Sequence, residues 1–129
     1  RMMCILPLGH PLADETSVSF ELLLEQPFIL PRWGGDNEIE RLIRQHAAKL
    51  NVVYEVAEDQ AIMAMVRNGL GISLLPEMVL QGHTNELALV PLSGDPYRTI
   101  GLVCPSLAHL CPATRGLRAA VQEWLAQNP

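Results

Sequence analysis

Eleven residues, Val66 to Pro76 (VRNGLGISLLP), restrict this chain more than any other stretch. Two glycines flank one leucine, an apolar run follows, and a proline closes it. A helix carrying Ile62, Met65 and Val66 on one stripe must stop at Gly69, because glycine enters the left-handed cap conformation without strain. Leu70 is placed to tuck back onto that helix, and Gly71 lets the backbone turn closely into a strand. Ile72 to Leu75 is apolar almost throughout, as a central parallel strand covered on both faces is. Pro76 then opens the next helix, where its missing N–H goes unused anyway. Helix, tight turn, strand, tight turn, helix is a unit of an open α/β sheet.

The rest of the chain continues this alternation. Met2 to Pro7 reads as a buried strand, Ser19 to Pro27 as a short helix with Ser19 at its start, and Phe28 to Leu30 as a brief strand. Ile39, Leu42, Ile43, Ala47 and Leu50 recur at helical spacing between Asp36 and Asn51. Val52 to Glu58 is rich in β-branched and aromatic residues, so it is a strand, and Asp59 caps the helix after it. Residues 76–82 form a short helix, and 86–92 and 97–105 are strands separated by the Ser93-Gly94-Asp95-Pro96 turn. Pro112 opens a last helix with an apolar stripe of Leu117, Ala120, Val121, Trp124 and Leu125. The expectation is an α/β fold with a mainly parallel sheet flanked by helices.

Composition excludes several classes. No window of the 129 residues reaches the roughly 18 uninterrupted apolar residues of a membrane span, so no membrane partner is expected. A net charge of −5, with both signs interspersed, argues against this segment being a nucleic-acid surface by itself. The three cysteines, Cys4, Cys104 and Cys111, show no CxxC spacing and suit reduced thiols in a cytoplasm. Cys4 and Cys104 lie in apolar runs and read as buried, and Cys111 lies in a loop before Pro112. His83 and His109 add no clustered ligand spacing, so no metal and no cofactor is expected. Arg1 leads straight into a strand pattern, which reads as a piece of a longer chain or a processed one.

Ligands of open α/β sheets bind beyond the carboxyl ends of strands. The candidate segment is therefore Pro31, Arg32, Trp33, Gly34 and Gly35, which follows the Phe28–Leu30 strand and leads to a helix N-terminus. Arg32 is placed to clamp a carboxylate and Trp33 to supply an apolar wall, against the plainer reading of a turn with Arg32 paired to Asp36. Gln60, after the next strand, is placed to face the same cleft. Catalytic machinery is not evident. His10, His46, His83 and His109 are scattered, and no GxSxG or P-loop pattern occurs.

Gly9 to Ala13 (GHPLA), Ser19 to Leu30 (SFELLLEQPFIL), Val66 to Pro76 and the closing Cys111 to Ala113 before the last helix together resemble the effector-binding domain of LysR-type transcriptional regulators, over essentially the whole chain. The resemblance implies a type 2 periplasmic-binding-protein-like fold in which two subdomains clasp a small effector. Residues 1–98 would then be the second subdomain with its incoming crossover strand. Residues 99–129 would be the returning strand and the C-terminal helix. The DNA-binding head and most of the first subdomain would lie elsewhere. By the same resemblance the effector is gripped around Pro31, Arg32 and Trp33, and Ile100 to Leu102 line the hinge. The Arg32–Trp33 pair favours an anionic, partly apolar effector. A cytoplasmic homo-oligomer, dimer or tetramer, would touch DNA only through its winged helix-turn-helix. The rival readings are a transport solute-binding protein of the same fold and, further off, an enzyme.

Overall fold

The structure, a computed structural model, describes residues 1–32, 41, 43 and 49–128. It divides into two compact units, Arg1–Arg98 and Thr99–Pro129.

In the first unit the elements run β1 (Met2–Leu6), α1 (Phe20–Leu24), β2 (Pro27–Pro31), β3 (Asn51–Val56), α2 (Asp59–Arg67), β4 (Ser73–Pro76), a 3-10 turn (Glu77–Leu80) and β5 (Ala88–Pro91). β1 lies between β4 and β5 and is antiparallel to both, while β2 and β3 pair in parallel. A parallel bridge between Phe28 and Ile72 joins the two groups. The α/β class is as expected, but the pairing is mixed rather than mainly parallel. The reason is physical: every residue of β1 and of β4 is buried, and a strand covered on both faces reads as an unbroken apolar run whichever way its neighbours point.

Alternation along the strands sorts the core into two layers. Met2, Cys4 and Leu6 of β1 join Phe28, Leu74 and Val90 on one face, covered by Phe20 and Leu23 of α1. Met3 and Ile5 join Ile29 and Leu75 on the other, covered by Ile62, Met63 and Val66 of α2. The period of two that flips successive side chains across a sheet thus gives one strand two cores to serve. Of the helix stripe expected at Ile62, Met65 and Val66, Ile62 and Val66 are buried, whereas Met65 is only half-buried and Met63 is buried in its stead. The helix expected between Asp36 and Asn51 falls mostly outside the described residues. Within it Arg41 and Ile43 are helical, and Ile43 is buried in the first layer.

The glycine turn behaves as its spacing requires. Gly69 has φ of +73°, its N–H donates to Val66 O (2.9 Å), and the Leu70 N–H donates to Met65 O (3.1 Å). This double closure is the Schellman ending of a helix. Ile72 N–H then donates to Pro27 O, and Ile29 N–H to Ile72 O, both at 2.8 Å, which stitches β4 to β2. The Ser73 hydroxyl, fully buried, donates to Ile29 O at 2.7 Å and ties the same two strands by side chain. Pro76 ends β4 instead of opening an α-helix, and the chain continues as the shorter 3-10 turn.

The second unit holds α3 (Pro112–Gln127), which begins at the expected proline. None of its residues is buried, and Leu117, Trp124 and Leu125 of the expected stripe are all more than half exposed. The strand expected over 97–105 is not formed. A β-strand exists only where a neighbour supplies its hydrogen bonds, and no described strand pairs with this segment.

Candidate functional site

The parallel pair determines where a ligand site can be. Pro31, the last residue of β2, is in register with Val56, the last of β3, so both strands release their chains at the same carboxyl edge. From β2 emerges Arg32, and from β3 come Ala57, Glu58 and the first turn of α2. Arg32 is fixed at its backbone, where its N–H donates to Val56 O at 2.8 Å. Among the described residues its side chain is loosely held. Arg32 Nε lies 3.9 Å from Glu55 Oε2, with the two side chains 68% and 57% exposed, and an open pair of this kind contributes about 0–1 kcal/mol. Among the described residues the partner is Glu55; the Asp36 of the plainer sequence reading lies outside them. Pro31 is buried, which leaves Arg32 as the first exposed side chain of the edge.

The other side of the edge is acidic. Glu58 is the N-cap of α2 and Asp59 its first residue, one position later than the cap expected for Asp59. Carboxylates there complement the positive end of the helix dipole. Asp59 Oδ1 is buried and has no hydrogen-bond partner among the described residues. A buried acceptor left unpaired costs about 1–3 kcal/mol, so it favours any donor brought to it. Neither a cap residue nor an edge strand announces such an orphan atom in sequence. Gln60 is exposed in the same turn.

Arg32 and Gln60 are thus brought to one strand edge by β2, β3 and α2. Trp33 and Gly34 lie outside the described residues. Ile100 and Leu102 stand in the second unit, 65% and 64% exposed, in a segment without helix or strand.

Other chemistry is sparse. Among the described residues no three His, Cys, Asp or Glu side chains gather as a metal site. Ser106 Oγ lies 3.2 Å from His109 Nδ1, a contact that chain order did not suggest, but it is an exposed contact across a turn. His83 Nδ1 stands 3.6 Å from Glu86 Oε2, which also pairs with Arg67. The cysteines differ sharply. Cys4 is enclosed in β1, and burial pushes its thiol up to about 12. Cys104 is half-buried rather than buried, and Cys111 is exposed. No described helix is long and apolar enough to cross a membrane.

The first unit is thus a two-layered α/β body that carries, among the described residues, a loosely held cation and an unpaired acceptor at the carboxyl edge of its parallel strands, the edge at which sheets of this class take small molecules. The chain matches the family described as the LysR substrate binding domain over residues 1–126, and it belongs to that family. It is similar to the HTH-type transcriptional regulator YnfL of Escherichia coli K12, with 31% identity over 122 residues, covering 91% of this chain and 41% of that protein. Among solved structures it is similar to the effector-binding domain of BenM with its effector benzoate, at 26% identity and a TM-score of 0.58, over 72% of this chain and 45% of that one. It also resembles in fold the regulatory domain of CcmR from Synechocystis PCC6803, solved in complex with 2-PG, at 22% identity and a TM-score of 0.68, over 92% of this chain and 60% of that one. The chain spans about two fifths of the length of the first curated relatives it matches.

Proposed function

We propose that this chain is the effector-sensing part of a LysR-type transcriptional regulator, and that it holds a small organic acid at the carboxyl edge of β2 and β3. The observation that carries the reading is Arg32, anchored through its backbone to Val56 while its guanidinium is exposed and, among the described residues, only loosely paired with Glu55. A guanidinium in that state exchanges one carboxylate for another at little cost and grips the newcomer with paired N–H donors. Benzoate, the effector of the BenM domain to which this chain is similar, is such an acid. Glu55, Glu58 and Asp59 oppose a second negative charge, so the effector is a monoacid. The unpaired Asp59 Oδ1 favours one that also carries a hydroxyl or amine donor.

In this reading Arg1–Arg98 is the second subdomain of the sensor, and Thr99–Pro129 is the returning crossover strand and last helix. The exposed stripe of Leu117, Trp124 and Leu125 suits a helix whose cover lies in the part of the longer polypeptide that the relatives have and this chain does not span. The protein turns nothing over. Effector binding shifts the population of closure states, and a DNA-reading head feels the shift through a homo-oligomer in the cytoplasm. Differential affinity between the two states sets the size of the response.

Calorimetry on the longer polypeptide with benzoate, hydroxybenzoates and short hydroxy acids tests this. At least one acid is expected to bind, and Arg32→Ala is expected to weaken it about 10- to 100-fold, the worth of a charge-assisted bond. Binding by no acid, or equal affinity in the variant, overturns the site. A longer polypeptide that carries no DNA-binding head overturns the regulator and leaves acid binding standing.

A further inference from the structure

β3 carries one residue more than the ladder it completes. Asn51 and Val52 pair with Pro27 and Phe28, but the next pairs are Tyr54 with Ile29, Glu55 with Leu30 and Val56 with Pro31. Val53 has no counterpart in β2 and forms a β-bulge. Its first use is packing. Val52 and Val56 are four residues apart and would share one face of an uninterrupted strand. With Val53 inserted, Val52 packs on the layer of Phe28 and Val56 on the layer of Ile29. The same insertion decides which side chain meets Arg32. Leu30 packs on the first layer, Arg32 follows it two residues on, and Glu55, opposite Leu30, shares their face. Tyr54, opposite Ile29, is turned to the other face. Counted on from Val52 without a bulge, Tyr54 would stand opposite Leu30, and Glu55 would be turned away from Arg32.

We infer, on the acid-binding reading above, that Glu55 is a built-in competitor of the effector for Arg32, seated by the Val53 bulge, and that it sets the concentration at which the site responds. Among the described residues Glu55 is the carboxylate paired with Arg32, at 3.9 Å between side chains 57% and 68% exposed. A pair so open forms and breaks freely, so Arg32 is already occupied in part of the population. An incoming acid binds only the unoccupied fraction, and its apparent Kd is the intrinsic Kd divided by that fraction. For an exposed pair of ordinary strength this weakens binding about 2- to 6-fold. An acid that takes two parallel N–H donors from the guanidinium displaces Glu55, whose oxygen stands beyond hydrogen-bond distance. The factor is the same for every anion. Glu55 therefore sets a threshold, and the choice among acids is left to the other groups of the edge.

Calorimetry on the longer polypeptide with the same acids tests this. Glu55→Gln is expected to lower the Kd of the acid that binds by about 2- to 6-fold, the opposite sign from a merely structural loss. Glu58→Gln removes an equal charge from the same edge, at an N-cap whose side chain makes no cap bond, and is expected to change the Kd less than Glu55→Gln does. Tyr54→Glu puts a carboxylate on the other face and is expected not to weaken binding as a carboxylate facing Arg32 would. Without any acid present, the NMR signal of the Arg32 Nε–H is expected to move in Glu55→Gln and to stay in Tyr54→Glu. Unchanged or weaker binding by Glu55→Gln, an equal gain from Glu58→Gln, a marked loss in Tyr54→Glu, or an Arg32 signal indifferent to Glu55→Gln would each overturn the competitor and leave acid binding standing. Binding of no acid by the native chain or any variant would overturn the acid site itself, and the competitor with it.

Discussion

Cys4 shows how much a single position can say about stability. Its side chain fills one layer of the core from the central strand, and its thiol is held neutral by burial, with the pKa raised from 9.0 to about 12. A raised pKa means that the folded state holds the proton more tightly than the unfolded chain. The associated stability is fully present below pH 9 and drains away as pH rises toward 12. Across that window the expected slope is about 1.4 kcal/mol per pH unit beyond what other groups contribute. Urea unfolding of the native chain and of Cys4→Ala at pH 8, 9 and 10 checks this. The variant is less stable throughout because it leaves a cavity, but the gap is expected to narrow as pH rises. Arg32 illustrates the opposite case at this scale. Its place at a strand end was legible in sequence, because Phe28 to Leu30 is an apolar run that stops at a proline and an arginine. Its partner was not legible, since Glu55 is 23 residues away along the chain and meets Arg32 only through the parallel register of β2 and β3.

The turn between α2 and β4 is the element through which the sheet is assembled, and its two glycines serve different ends. At Gly69 a Cβ meets nothing within 4 Å, but φ is +73°, so replacement strains only the backbone. At Gly71 a Cβ would stand 2.7 Å from Pro27 O and 3.2 Å from Ile29 Cγ1, inside the hydrogen-bonded seam of β2 and β4. Gly69→Ala is therefore expected to lower stability by about 1 kcal/mol, and Gly71→Ala by more, about 2–3 kcal/mol, because a strand backbone has to move. Urea midpoints at unchanged m-value measure both. Equal losses would mean that the seam yields freely. That turn was legible because glycine and proline carry their conformational reasons in their covalent structure. Strand direction was not, because continuous burial erases the alternation that distinguishes one face from the other. Nor was the absence of a strand at 97–105, whose apolar, β-branched Ile100 and Val103 satisfy a strand pattern without a partner to complete it.

For the molecule as a whole, the division at Arg98 separates where the stability resides from where it does not. Among the described residues, every strand pairing and both layers of the core fall within Arg1–Arg98. The end of that unit is tied back to its beginning, with the Met2 N–H donating to Pro96 O at 2.8 Å and Arg1 Nε paired with Asp95 Oδ1 at 2.9 Å. Thr99–Pro129 contributes one helix that buries none of its own residues. A unit that contains its own core has what it needs to unfold cooperatively by itself. The fragment 1–98 is thus expected to melt in one transition, within about 4–8 °C of the full chain, the shift that roughly 1 kcal/mol produces in a domain of this size. Hydrogen exchange in the full chain is expected to obey the same division, slow in β1, β2 and β4 and fast across residues 99–111, whose backbone lacks the ladders that protect amides. A fragment that melts without a cooperative transition would show that the last 31 residues help hold the sheet together, and the stability of the strand edge at Arg32 would then depend on both units instead of one.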